Sequence, residues 1–245
     1  MLILTVSTNA VHAAVLDVFD TVDVSNQTLD AGLNATFYQL FSGAKISSIP
    51  EAQSVVAALG QPENPILETT SFVAGGLMDY KNIPDGGIGF FRTDNPFPFQ
   101  EHFVDIFLGL IFIDQPSDVT FLVYAVDGYQ LKIAKTILVQ DWITSSTSPP
   151  RVAPVQFLAS GYYPIQITHF ENGSNQGSGS AGLEVAWTPG LFTEVPERTG
   201  NGAAFHISDH YSLLGSDNLF HAAAIPEPST FLLFVMGWLA ITLLF

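Results

Sequence analysis

Apolar and polar positions alternate most regularly from Val119 to Trp142, in the segment VTFLVYAVDGYQLKIAKTILVQDW. Apolar side chains recur at every second position before Asp127-Gly128, and the alternation resumes after this dipeptide. A period of two residues is typical of a β-strand, and Asp-Gly between two such runs is a strong signal for a tight turn. We therefore predict a β-hairpin, central in a sheet, that turns at Asp127-Gly128.

Other short segments of the chain have strand-like patterns. The predicted strands are 31–40, 68–73, 88–92, 102–113, 137–139, 152–158, 161–170 and 182–187. The segment 102–113 is almost wholly apolar, which predicts a strand that is buried on both faces. One amphipathic helix is predicted at 49–60, with Ser48 as its N-cap and Pro50 in its first turn. Many short strands and one small helix predict an all-β fold, an antiparallel sandwich or barrel.

Composition narrows the classes of function. The 245 residues suffice for one large all-β domain. Lys and Arg number 7 against 23 Asp and Glu, which gives a formal net charge of −16. Nucleic acid is therefore excluded as a partner, because the chain lacks the positive charge that would neutralise phosphates. There is no cysteine, so thiol catalysis, Cys-ligated zinc and disulfides are excluded as well.

Three histidines of the sequence could have a structural or a metal-binding role. His169 continues an apolar face of its predicted strand, so we expect it to be buried and hydrogen-bonded. His206 and His210 have the i,i+4 spacing of a helical zinc site, with Asp209 beside them. The sequence around them predicts no strong helix and offers no third ligand, so a metal site there is not favoured.

The N-terminal residues 1–14 have features of a secretory signal. Small residues at positions 11–14 would suit a signal peptidase, although the apolar run at 2–6 is short and no basic residue precedes it. We interpret 1–14 as a partial signal peptide, which predicts that the protein is exported.

The C-terminal residues 231–245 (FLLFVMGWLAITLLF) are uninterrupted apolar sequence. As a helix they would be about 22 Å long, somewhat short of the roughly 30 Å hydrocarbon core of a membrane. They follow Pro226-Glu227-Pro228, and this arrangement resembles the PEP-CTERM sorting signal, without the basic cluster that usually ends it. The resemblance implies an exported protein of a Gram-negative-type bacterium, a transmembrane helix within 225–245, and an exosortase-type enzyme as partner. We assign residues 201–224 to a spacer.

Four motifs in the central part of the chain occur in the order typical of one family. They are Gly32-Leu33 with Phe37-Tyr38, then Ala125-Val126-Asp127-Gly128 before Leu131-x-Ile133, then Gly161-Tyr162-Tyr163-Pro164-Ile165 with Phe170-Glu171, and last Trp187 with Pro189. On these motifs, residues 30–200 resemble the PA14 domain, the domain named after protective antigen. The resemblance implies a β-sandwich of PA14 type that binds extracellular glycans in many members.

The resemblance also implies where a ligand would bind. In lectin-like members, two adjacent Asp residues coordinate a Ca²⁺ ion that also contacts sugar hydroxyls. Asp127 matches one of them, and Val126 stands where the other should be. Because Ca²⁺ takes about six to eight oxygen ligands, Asp127 is either a residual calcium ligand or, as we favour, an ordinary turn residue. The candidate ligand-binding residues are Asp127, Gly128, Asn172 and Asn175. The two Asn residues are candidates because their loop follows the strand 161–170 at the same end, and their favoured alternative role is to keep this loop soluble.

The predicted function is that of an exported, non-enzymatic protein at the outer cell surface or in an extracellular matrix. Its sandwich would bind carbohydrate or mediate adhesion, and its C-terminal helix would contact the membrane. One alternative is a structural matrix or biofilm protein with no small ligand. A less favoured alternative is a hydrolase, because no catalytic motif is apparent and no room is left for a second domain.

Overall fold

The computed structural model describes residues 13–80, 102–141, 151–172, 182–193 and 211–222. These parts of the chain hold fourteen strands, one α-helix and a single-turn 3-10 helix. The elements in chain order are β1 (Ala14–Leu16), the 3-10 turn (Val18–Asp20), β2 (Leu29–Ala31), β3 (Leu33–Leu40), α1 (Ile49–Ala57), β4 (Ile66–Ala74), β5 (Asp79–Tyr80), β6 (Phe103–Ile113), β7 (Ser117–Val126), β8 (Gly128–Ile133), β9 (Thr136–Asp141), β10 (Arg151–Phe157), β11 (Gly161–Glu171), β12 (Gly182–Pro189), β13 (Ser212–Leu213) and β14 (Leu219–Ala222).

The strands form two open sheets, so the all-β prediction is confirmed and the architecture is a sandwich rather than a closed barrel. Sheet I has the order β1-β10-β7-β12-β13, with β5 also beside β12. Sheet II has the order β2-β14-β6-β11-β8-β9, and β3 pairs with β6 and β4 in the same sheet. The pairing of β1 with β10 is parallel, and the other pairings between the named strands are antiparallel.

The core lies between the two sheets and is rich in aromatic rings. Alternate residues of each strand point into it, as the period-two patterns predict. Phe121 of sheet I and Tyr163 of sheet II both contact Phe157, with ring centroids 6.5 Å and 5.0 Å apart. The strand predicted as buried on both faces, β6, has Phe107 and Ile111 wholly buried towards the core. Its other face is only partly covered.

Helix α1 packs on the outer face of sheet II. Ser48 is its N-cap, as predicted, and its hydroxyl accepts a hydrogen bond from the backbone N–H of Glu51 at 3.3 Å. Ile49 and Ala52 are buried against Tyr38 and Phe170 of the sheet. The helix therefore covers only the part of the outer face around these side chains.

The predicted hairpin at Asp127-Gly128 is wrong. Strand β7 pairs with β10 and β12 in sheet I, whereas β8 pairs with β11 and β9 in sheet II. Asp127 is therefore the crossover between the sheets. The hairpin in this region joins β8 to β9 through Ala134-Lys135, where Ala134 takes a left-handed φ of 52°. Alternation shows which residues share a face, but a strand that changes sheet keeps the same alternation.

Gly128 is required for packing rather than for a turn. Its backbone is not left-handed, and a Cβ added there would lie 2.2 Å from two ring atoms of Phe170. The ring of Phe170 thus occupies the space where any side chain at position 128 would stand. Helix α1 covers the same ring, so the crossover, the end of β11 and the helix pack together at one place.

Two strands lie in the segment that the sequence assigns to a spacer. Strand β13 pairs with β12 in sheet I, and β14 pairs with β2 and β6 in sheet II. They have two and four residues, too few for a recognisable alternation, which is why the patterns miss them. At the other terminus, Ala14 of the predicted signal segment begins β1.

Several predicted features lie outside the described residues. These are the strand at 88–92, the residues 1–12 of the signal segment, His206, Asp209 and His210, and the sorting motif Pro226-Glu227-Pro228 with its apolar helix. Among the helices that the structure does describe, none has the length and apolar character needed to cross a membrane.

Candidate functional site

Asp127 and Asn172 meet at one end of the sandwich. The crossover after β7 brings Asp127 beside the end of β11, because the backbone N–H of Asp127 donates to the carbonyl of Phe170 at 3.2 Å. In return, the backbone N–H of Asn172 donates to Oδ2 of Asp127 at 3.1 Å. The Asp127 side chain therefore ties the start of the loop after β11 to the corner between the sheets.

The side chain of Asn172 holds a third segment at this end. Its Oδ1 accepts from the backbone N–H of Ile46 at 2.6 Å, and its Nδ2 donates to the carbonyl of Ile46 at 2.5 Å. This pair of hydrogen bonds fixes the loop that leads into α1. Asn172 thus uses its amide for a structural contact, and the involvement of Ile46, 126 residues away, has no signal in the sequence.

Asp127 is nearly buried, with 6% of its surface exposed. Burial raises the pKa of its carboxyl group, because a charge in a poorly hydrated site is disfavoured. The hydrogen bond from Asn172 and the field of His169 act in the opposite direction but are smaller. The corner therefore contains a carboxyl group that is more easily protonated than an exposed Asp.

A second buried carboxyl group lies behind the corner. Oδ1 of Asp105, in β6, is 2.9 Å from Nδ1 of His169, in β11, and both side chains are wholly buried. The expectation of a buried, hydrogen-bonded His169 is confirmed. Burial raises the pKa of Asp105, and the neighbouring His169 only partly offsets this. Oδ2 of Asp105 has no hydrogen-bond partner among the described residues.

Asp105 and His169 begin a polar row across the core face of sheet II. Tyr129 stands opposite His169, and Asp141 stands opposite Tyr129 in β9. Oδ2 of Asp141, at the end of β9, is 2.9 Å from Nε of Arg151, at the start of β10. This ion pair joins sheet II to sheet I. The hydroxyl of Tyr129 is buried without a partner among the described residues, and burial, with Asp141 nearby, raises its pKa.

The described residues do not provide a calcium site. No group of three or more Asp, Glu, His or Cys side chains within the described ranges is arranged to hold a metal. Asp127 supplies one carboxylate, and the Asn172 amide is engaged with Ile46, whereas Ca²⁺ needs about six to eight oxygens. Asn175 lies outside the described residues.

Comparison with known proteins supports the fold. No protein-family model and no curated protein matches the chain. Among solved structures, the PA14 domain of the MpAFP antifreeze protein has a TM-score of 0.55 and 16% identity, covering 84% of this chain and 98% of its own. The PA14 sugar-binding domain from an RTX adhesin has a TM-score of 0.55 and 17% identity, with 78% and 99% covered. The A domain of epithelial adhesin 9 from Candida glabrata, solved with Galb1-3GlcNAc, also has a TM-score of 0.55, at 11% identity, with 86% and 97% covered.

At these identities the likeness establishes the fold. The chain forms an open β-sandwich of the PA14-like kind. The resemblance that its motifs suggest is thereby supported at the level of architecture.

Proposed function

We propose that the protein binds carbohydrate, or mediates adhesion through carbohydrate, at the end of the sandwich where Asp127 and Asn172 meet. The observation that carries the proposal is the convergence of three segments there, at Ile46, Asp127 and Asn172, each fixed by a hydrogen bond of 2.5–3.2 Å. Loops held on a rigid scaffold are where proteins commonly place binding residues. The likeness to a sugar-binding PA14 domain and to a glycan-bound adhesin domain favours sugar as the ligand.

In this proposal Asp127 and Asn172 position the loops, and Gly128 allows Phe170 to pack behind them. The sugar would be held by groups of the loops that these residues anchor, through hydrogen bonds to its hydroxyls. Calcium is not part of this proposal, because the described donor set does not fit the ion. The chemistry is binding without a reaction, so the protein is proposed to be a non-enzyme.

The proposed location is the outer cell surface or the extracellular matrix. It rests on the sequence features at both termini and agrees with the adhesin-like fold. The tail 225–245 is proposed to be a PEP-CTERM-type sorting signal that contacts the membrane and an exosortase-type enzyme. Deletion of the chain after Ala224 should abolish retention at the cell surface, and unchanged retention would contradict this part of the proposal.

A structural matrix protein without a small ligand is the second candidate. The observation in its favour is that the side chains of Asp127 and Asn172 are engaged in contacts within the protein. In that case the corner would serve the stability of the sandwich and not recognition.

A glycan array separates the two candidates. The full chain, kept soluble in a non-ionic polyoxyethylene detergent, is applied with calcium and with a chelator. Selective binding to one class of glycan in both conditions supports the proposal. Selective binding that is lost on chelation would mean that a calcium ion is needed after all. The absence of binding by folded protein favours the matrix protein.

A further inference from the structure

The outer face of sheet II has an apolar, aromatic part that α1 does not cover. Opposite residues of antiparallel strands lie on the same face, and successive residues alternate. The register therefore places six apolar side chains of β6, β11 and β14 together on the outer side. We call this the aromatic face, and it consists of Leu108, Leu110, Phe112, Tyr162, Pro164 and Phe220.

The residues of the aromatic face are all partly exposed. An antiparallel sheet with one solvated face normally carries polar residues there, so this composition is unusual. Single exposed apolar residues need no explanation, but a contiguous group of them marks a surface that binds something. Helix α1 covers the opposite part of the same outer side, around Tyr38, Val104 and Phe170.

Three aromatic rings at one end of this face contact one another. The rings of Phe112 and Tyr162 have centroids 4.8 Å apart, and those of Tyr162 and Phe220 are 5.7 Å apart in an edge-on arrangement. Such contacts fix the orientation of rings that would otherwise rotate freely. The backbone of Tyr162 is held on its other side as well, since the N–H of Val22 donates to its carbonyl at 2.8 Å. The three rings are therefore already packed together on the free protein.

Charge and hydrogen-bonding groups indicate the class of ligand. The chain carries 23 acidic residues, yet the outer positions beside the aromatic face hold amides and one amine, from Gln166, Asn34 and Lys132. The Gln166 amide already donates to Oγ1 of Thr168 at 3.3 Å. A purely apolar partner would therefore bury Asn34 and Lys132 without hydrogen bonds, which is costly. A second copy of the chain would bring another net charge of −16, which opposes association. A neutral sugar ring fits both the aromatic face and the polar groups beside it, because it offers C–H groups to aromatic rings and hydroxyls to amides.

We propose that the aromatic face binds an extended neutral polysaccharide. The positions from Tyr162 to Gln166 along β11 span about 13 Å, and β11, β6 and β14 span about 10 Å across the sheet. A surface of this length and width suits the side of a chain of sugar rings rather than the end of a small glycan. The aromatic face is separate from the corner at Asp127, and the proposal does not depend on glycan binding at that corner.

Affinity electrophoresis in gels containing hydroxyethyl cellulose, glucomannan or dextran tests this proposal. The full chain in polyoxyethylene detergent, which contains no sugar, should be retarded by at least one of these polymers. Tyr162→Ala and Phe112→Ala should each weaken the retardation roughly tenfold, because aromatic residues dominate binding surfaces of this kind. Tyr162→Trp retains a ring and should bind nearly as well as the wild type. Phe192→Ala, which removes a half-exposed ring elsewhere, is the matched control and should bind normally.

Three results would overturn the proposal. One is the absence of retardation in all three polymers, and another is equal retardation of the wild type and both alanine variants, with circular dichroism showing that they are folded. The third is a wild-type dimer in sedimentation that becomes a monomer in Tyr162→Ala, since a second copy would then occupy the face. Retardation that both alanine variants weaken, in a protein that gives no selective signal on the glycan array, would support the aromatic face and count against the corner, so the two failures can be told apart.

Discussion

Nδ1 of His169 lies 2.9 Å from Oδ1 of Asp105, and no part of either side chain reaches solvent. The two residues stand opposite each other in β11 and β6, at the end of the core that lies behind Asp127. A buried polar pair of this kind is costly to break, because removing one partner leaves the other polar group buried alone.

Asp105→Ala should therefore destabilise the protein by about 3–5 kcal/mol. Asp105→Asn keeps an oxygen that can accept from His169 and should cost clearly less. Equilibrium unfolding in urea, followed by tryptophan fluorescence, measures both changes. If the alanine variant unfolds within about 1 kcal/mol of the wild type, the pair does not stabilise the sandwich as described.

Gly128→Ala should also destabilise the protein, by about 1–3 kcal/mol. The added methyl group would meet the ring of Phe170 at 2.2 Å, and that ring is fixed between the crossover and α1. Gly75→Ala is the matched control, because a Cβ there would have no neighbour within 4 Å. Phe170→Leu in combination with Gly128→Ala should recover part of the loss. Equal stability of the two alanine variants would show that the ring can move aside freely.

Asn172→Ala should release the loop before α1. The change removes both hydrogen bonds to Ile46 but keeps the backbone N–H that binds Asp127, so only one of the two links is lost. Hydrogen exchange should become faster in the segment around residue 46 and at the start of α1, with a stability loss of about 1–3 kcal/mol. Exchange in β12, on the other sheet, serves as the internal control. Unchanged exchange at residue 46 would mean that other contacts hold this loop.

Asp127 should make stability depend on pH. Its folded pKa lies above the ordinary value of 3.8 because the group is buried, so the folded state binds a proton more readily than the unfolded state. The stability that comes from this group is present below pH 3.8 and is lost as the pH rises through the folded pKa. Asp127→Asn keeps an oxygen that can accept from the backbone N–H of Asn172. Because the Asn amide does not titrate, its stability contribution is not lost as the pH rises.

The free energy of unfolding of Asp127→Asn, relative to the wild type, should consequently rise as the pH increases from 3.8 through the raised pKa of Asp127. Urea titrations at several pH values test this, with dilute protein because the sequence pI is about 4.3. Asp114→Asn, at an exposed position, is the control. A relative stability that stays constant or falls over this range would contradict the burial of the Asp127 carboxyl group.

The sequence patterns predict the local elements well but not the partners of the strands. The N-cap at Ser48 and the apolar face that His169 continues depend on neighbouring residues, and both are found. Whether β7 and β8 share a sheet depends on what each strand pairs with, and alternation carries no such information. The pattern around Asp127-Gly128 therefore predicts a hairpin turn, whereas the chain crosses from one sheet to the other at Asp127.

The polar contacts at the corner were only partly foreseeable. The family resemblance indicates Asp127 and the position of the loop indicates Asn172, and the structure brings the two together. Asp105 is the one carboxylate in the apolar segment 102–113, which weakly indicates a special role. Its partner His169 is 64 residues away and cannot be identified from local spacing. The contact between Asn172 and Ile46 spans 126 residues. Contacts over such separations follow from the topology and not from local spacing.

The central claim is that glycan binds where Ile46, Asp127 and Asn172 converge. Hydrogen exchange of the full chain, with and without the glycan that gives the strongest array signal, tests it most directly. We expect slower exchange in the segments that contain these three residues and unchanged exchange in β13 at the edge of sheet I. Bound glycan that slows exchange elsewhere, and leaves these three segments as they were, would contradict it.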